Sequence, residues 1–297
     1  MNQAKIEFNK VRDFGALLNV TFDYIKSNFK TLFLSNLYIS APAILLAGVF
    51  MGMYQSSMFN FAAAEDITRI GLPFIVGMFF TAIAYFIVIA VTYSHLMVYK
   101  ESESGYFELD DVVKATKKNF SIILTTALGY IFLMGAIGII TVGLGFFLMT
   151  QELYIFVLLF LFGMFFLMYL SIKWTFIFMV RLEEKLSFSD ALRRSSNLIK
   201  NNWWFTFGLI LVAGIIQGFM AFILYIPNYI AMFFVMFAGM DTASSGFGRI
   251  IYILSSIITS LSVLLYSINI IVVAFHYFNL VERKEAPGLL QKIDEIQ

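Results

Sequence analysis

Polar and apolar positions fall into alternating blocks along the chain. Six apolar runs stand near residues 32–54, 71–99, 121–149, 153–180, 204–237 and 249–280. Each can cross the roughly 30 Å hydrocarbon core of a bilayer as a helix, which takes about 20 apolar residues. The fifth run is too long for one straight span. Pro227 and Asn228 predict a kink or a division within it, and division would raise the count to seven. The first 31 residues are of mixed polarity. They hold no short apolar core of the kind a cleavable signal peptide needs.

The polar blocks carry a second pattern. Phe14, Leu17, Leu18, Thr21, Tyr24 and Ile25 recur at three- and four-residue steps, as do Leu109, Val112, Val113, Thr116 and Phe120. Ser187-Phe188-Ser189-Asp190 reads as a capping box, followed by Leu192, Ser195 and Ile199 on one stripe. These are amphipathic helices suited to the headgroup plane. Each ends in the same string, Lys-x-Asn-aromatic: Lys26, Asn28 and Phe29; Lys117, Asn119 and Phe120; Lys200, Asn202 and Trp203. In each, lysine meets phosphate, asparagine ends the helix, and the aromatic anchors at the interface.

The expected architecture is therefore an all-α polytopic membrane protein, a single domain over 1–297, with about six transmembrane helices. Three repeats of amphipathic helix plus hairpin would cover about 8–100, 106–182 and 187–282, before a tail at 283–297 with a short helix at 286–296. A further echo supports them. His95 precedes Glu101 by six residues and His276 precedes Glu282 by six, whereas Ile177 stands in that place before Glu183.

Composition narrows the class. Hydrophobic residues make up 60% of the chain and charged residues 13%, with 35 phenylalanines and a mean hydropathy of +0.85. Soluble domains carry about 25% charged residues, so a soluble enzyme or a nucleic-acid binder is excluded. Without cysteine there is no disulfide, thiolate chemistry or thiolate-held metal. Seventeen of the 20 Lys and Arg residues fall on the side of the termini, against Arg69 and Arg249 opposite and Lys173 within span four. The positive-inside rule then puts both termini in the cytoplasm.

The run Ser187-Phe188-x-x-Ala191-Leu192-x-x-Ser195-x-x-Leu198-Ile199-Lys200-x-Asn202-Trp203-Trp204 resembles the entry helix of a large bacterial group of multi-spanning proteins. That group is related to the membrane domain of glycerophosphodiester phosphodiesterases. Tyr277-Phe278-Asn279-Leu280-Val281-Glu282-Arg283-Lys284-Glu285, with Gly288-Leu289-Leu290, is similar to tails in the same group. The resemblance implies a bacterial inner (plasma) membrane and no agreed activity. The phosphodiesterase's His-Arg-Gly signature has no counterpart at His95 or His276, so no catalytic domain is implied.

Candidate chemistry is sparse. Lys173 is the one charge inside a span, about eight residues from its end; it either snorkels toward headgroups or binds an anion. His95 and His276 are interfacial residues with a satisfied nitrogen, or members of a polar path with Lys173. Asn36, Gln217, Asn228 and Asn269 suit hydrogen bonds between helices, and Gly214-x-x-x-Gly218 suits close packing. The acidic run Glu101, Glu103, Glu108, Asp110 and Asp111 reads as a solvated helix start. No catalytic residue, metal site or cofactor motif is found. Expected partners are the lipid bilayer, anionic headgroups, and another membrane protein or a second copy. The leading function is a non-enzymatic scaffold, accessory or assembly subunit. The alternatives are a transporter or flippase for a lipid-like substrate and, last, a lipid-modifying enzyme.

Overall fold

Hydrocarbon cannot hydrogen-bond a peptide group, so a chain this apolar must satisfy its backbone internally. In the computed structural model the described residues (5–58, 67–150, 156–238 and 245–287) are helical apart from short connections, with no strand among them. In chain order they form α1 (Phe14–Ser27), α2 (Phe29–Met58), α3 (Ile67–Glu101), α4 (Leu109–Thr150) and α5 (Phe156–Lys173). Then follow α6 (Ile177–Glu183), α7 (Phe188–Ile199), α8 (Trp203–Ala238), α9 (Gly246–Ser260), a 3₁₀ segment (Leu261–Tyr266) and α10 (Ser267–Glu285). Six stretches are long and apolar enough to cross a membrane: Phe29–Met58, Ile70–Glu101, Leu109–Thr141, Val157–Glu183, Trp203–Phe237 and Gly246–Glu285. Their outer faces are apolar. Phe132 is 80% exposed and Phe237 85%, which water would not tolerate across so many neighbours.

Two of the Lys-x-Asn-aromatic strings break a helix and one does not. At Asn28 the chain passes from α1 to α2, and at 200–202 from α7 to α8. Asn201 takes the left-handed conformation there (φ 70°), which asparagine tolerates better than most residues. Lys117-Lys118-Asn119-Phe120, however, lies within the uninterrupted α4, whose 42 residues extend about 63 Å. An isolated asparagine costs a helix interior well under 1 kcal/mol, so without a second breaker the helix runs through. Pro227 likewise lies inside α8, which is not divided. The stretches 59–66, 151–155 and 239–244, between the expected apolar runs, lie outside the described residues. So do Gly288-Leu289-Leu290 and most of the helix expected at 286–296.

The chain forms two units. The first comprises Phe22–Thr116 and Val212–Ile271. In it α2 pairs with α3 and α9, and the fit depends on two glycines. A Cβ on Gly48 would stand 2.5 Å from the Ile257 Cα, and one on Gly52 2.5 Å from the Ile253 Cα. Gly214 and Gly218, by contrast, have nothing among the described residues within 4 Å of such a Cβ. Asn228 donates to Gln55 (2.9 Å), and Asn269 to Gln217. Asn36 divides its bonds, donating to Leu32 O of its own helix and accepting from Thr92 at 3.5 Å.

The second unit comprises Met1–Thr21, Lys117–Leu211 and Val272–Gln297. The face of α7 that carries Ala191, Ser195, Leu198 and Ile199 is buried in protein, as are Phe176, Ile177, Met179 and Val180. The Arg12 amide donates to Asn279 Oδ1 (2.8 Å), and Arg283 donates to the Arg12 carbonyl (2.8 Å), clamping the segment before α1 onto α10. Burial of the Arg12 guanidinium, opposed by Glu7, lowers its pKa from the ordinary value.

Candidate functional site

Each histidine is buried and each meets a threonine. In the first unit His95 Nε2 lies 3.2 Å from Thr31 Oγ1, and Nδ1 lies 2.6 Å from the Tyr24 hydroxyl. Thr31 spends its own hydrogen on the Asn28 carbonyl (3.1 Å). It therefore accepts from Nε2–H, which leaves Nδ1 to accept from Tyr24. Burial, with Tyr99 adding to it, holds the Tyr24 hydroxyl well above its ordinary pKa, so it stays a donor. In the second unit His276 Nε2 lies 2.9 Å from Thr206 Oγ1, and Thr206 donates to the Asn202 carbonyl (2.9 Å). The tautomer is the same, but Nδ1 has no hydrogen-bond partner among the described residues, with Phe176 and Phe205 beside the ring.

The middle hairpin has a related contact without a histidine. Arg181 Nη1 donates to Thr126 Oγ1 (2.8 Å) and Thr125 Oγ1 (3.2 Å). Arg181 falls one turn after Ile177, the position that matches the histidines, and Thr126 falls about one turn further from its asparagine than Thr31 or Thr206. The longer side chain spans the offset. In this way Asn28 and Asn202 lend their carbonyls to the threonines that receive the histidines.

Lys173 is the last residue of α5, within the apolar stretch Val157–Glu183 that continues past it through α6. Its ammonium lies 5.8 Å from the centroid of the Tyr169 ring. Ser195 Oγ donates to its carbonyl (3.0 Å) and accepts from the Phe176 amide (3.2 Å), which holds α7 against the break between α5 and α6. Tyr169, Lys173, Asn197, Lys200, Asn201 and Trp203 line a cavity of about 330 Å³. Trp203 stacks on Tyr169 (5.7 Å) and donates its indole N–H to the Tyr169 carbonyl (3.2 Å). The structure therefore joins Lys173 to Lys200 and Trp203 of the third string. His276 does not line this cavity, and His95 belongs to the other unit. The first string's Lys26 and Phe29 and the second string's Lys117 and Phe120 are exposed.

The charge cluster around α7 was not among the residues that sequence patterns singled out. Arg194 Nε donates to both Glu184 oxygens (2.9 Å each), and its two Nη groups reach Glu285. Glu285, opposed by burial and helped by Glu184, pushes the guanidinium pKa further above its ordinary value. Tyr277 also donates to Glu184 (2.8 Å). No spacing signals this arrangement, because its members come from the C-cap of α6, the middle of α7 and the second half of α10. In the acidic run Asp110 pairs with Lys114 (2.7 Å), and Asp111 accepts from the Glu108 amide (3.0 Å), as a helix start requires. No cluster of three metal-ligating side chains occurs among the described residues. No family model, curated protein or solved structure matches the chain.

Proposed function

We propose that this protein is a non-enzymatic scaffold, accessory or assembly subunit of the bacterial inner membrane. It would be built of three hairpin repeats with both termini in the cytoplasm, in the group that its entry helix and tail resemble. One observation carries the reading. In each hairpin the polar group on the returning helix is spent on a threonine of the outgoing helix: His95 on Thr31, Arg181 on Thr126 and His276 on Thr206. Contacts of this kind between neighbouring helices stabilise hairpins. The recurrence also supports the threefold repeat, and the excess of Lys and Arg on one side supports the orientation.

The test is purification from host membranes in mild detergent. A second membrane protein or a second copy at a fixed ratio is expected. A protein that purifies alone and moves a lipid analogue across vesicle membranes would favour the transporter or flippase reading instead. His95→Ala and His276→Ala variants that abolish such movement while remaining folded would complete that reversal.

A further inference from the structure

The cavity beside α5 combines three features that no structural role requires together. Lys173 and Lys200 both line it, and neither has a carboxylate within ion-pair distance among the described residues. Of the nearby acids, Glu184 and Glu285 are paired with Arg194. A third ammonium, Lys284 Nζ, donates to the carbonyl of Asn197, a residue of the wall. The positive charge is thus concentrated, and Asn197 and Asn201 add polar groups to the same wall.

The cavity also has an apolar approach. Phe162, Phe166, Tyr169 and Lys173 follow one another along one face of α5 at four-, three- and four-residue steps. Phe162 and Phe166 stack at 6.1 Å and are 65% and 38% exposed. Apolar surface that leads to a cationic pocket matches a molecule with a hydrocarbon tail and an anionic head.

We propose that this pocket seats the phosphodiester of one anionic phospholipid, with an acyl chain lying on the Phe162–Phe166 stripe. Lys173 and Lys200 neutralise the phosphate, while Tyr169 and Trp203 form the wall at the level of the glycerol. Basic pockets beside spans bind lipid headgroups through this chemistry. The assignment rests on reading the chain as an integral membrane protein, but it does not depend on which face is cytoplasmic or on a scaffold role.

The test is native mass spectrometry of the full chain in neutral detergent, titrated with phosphatidylglycerol, phosphatidylcholine or inorganic phosphate. One phosphatidylglycerol is expected to be retained in preference to phosphatidylcholine. Lys173→Gln and Lys200→Gln should each weaken retention several-fold, and together about tenfold or more, while charge-matched Lys117→Gln/Lys118→Gln changes it by less than about twofold. Lys173→Arg/Lys200→Arg should retain binding, which separates lost charge from a misfolded variant. Equal retention of phosphatidylcholine, or equal loss in the Lys117/Lys118 control, overturns the site. Competition by inorganic phosphate at the concentration of the lipid overturns the lipid assignment and makes the ligand a free anion. Because the readout is in micelles, a failed topology assay would leave this result standing, and the reverse also holds.

Discussion

Single atoms decide whether the helices of the first unit meet. Gly48 and Gly52 bring α2 against the backbone of α9, so a methyl group on either must push two helices apart. Gly52→Ala is expected to lower stability in micelles by about 1–3 kcal/mol, the usual cost of overpacking. Gly218→Ala, at a position with open space, should change it little. Thermal melts of the two variants check the contrast. Histidine acceptors act at the same scale. Thr31→Val and Thr206→Val keep the shape but leave a buried Nε2–H without its acceptor, so each should cost about 1–3 kcal/mol. Thr81, whose hydroxyl bonds only Gly77 of its own helix, should tolerate the same change at a fraction of that.

At the level of elements, α7 shows how a short helix is fixed at its start and along its middle. Ser187 Oγ accepts from the Asp190 amide (3.2 Å) and donates to its carboxylate (2.6 Å). Ser187→Ala should therefore cost about 1 kcal/mol, the usual value of a lost N-cap. Arg194 ties the middle of the helix to Glu184 and Glu285 through a planar fork that lysine cannot reproduce. The group is partly solvated, so Arg194→Lys should cost only about 1 kcal/mol, less at high salt. Amide hydrogen exchange should speed up across 188–199 in both variants, and α5 should be unaffected. If α7 keeps its protection without Arg194, the burial of Ala191, Ser195 and Leu198 alone holds it in place.

For the whole molecule, the distribution of charge is the main physical statement. The proposed topology puts 17 of the 20 basic residues on the side of the termini, so reporter fusions at residues 110 and 190 are expected on the cytoplasmic side. An exported reporter at either position would reverse the proposed topology. The length of α4 adds a condition: about 63 Å of helix exceeds the hydrocarbon, so its first turns, with Asp110, Lys114 and Lys117, must stand outside it.

The chain's apolar blocks determined the spans by themselves, because lipid leaves an apolar segment no backbone partner except its own helix. The cap at Ser187, the break at Asn28 and the break at 200–202 were legible for a similar reason, since the groups involved lie within four residues of one another. What tertiary structure alone decided involves residues far apart in the chain. Gly48 rather than Gly214 makes the close approach because Ile257 comes to lie over it, and no local pattern specifies that. Asn119 fails to end its helix because a weak breaker with no second breaker beside it yields to a helix that runs on into apolar sequence. Lys173 became the end of a helix, beside Lys200 and Trp203, once the 174–176 break and Ser195 had placed α7 against it. Hydrophobic periodicity encodes which face of a helix is covered, but only the packed structure specifies what covers it.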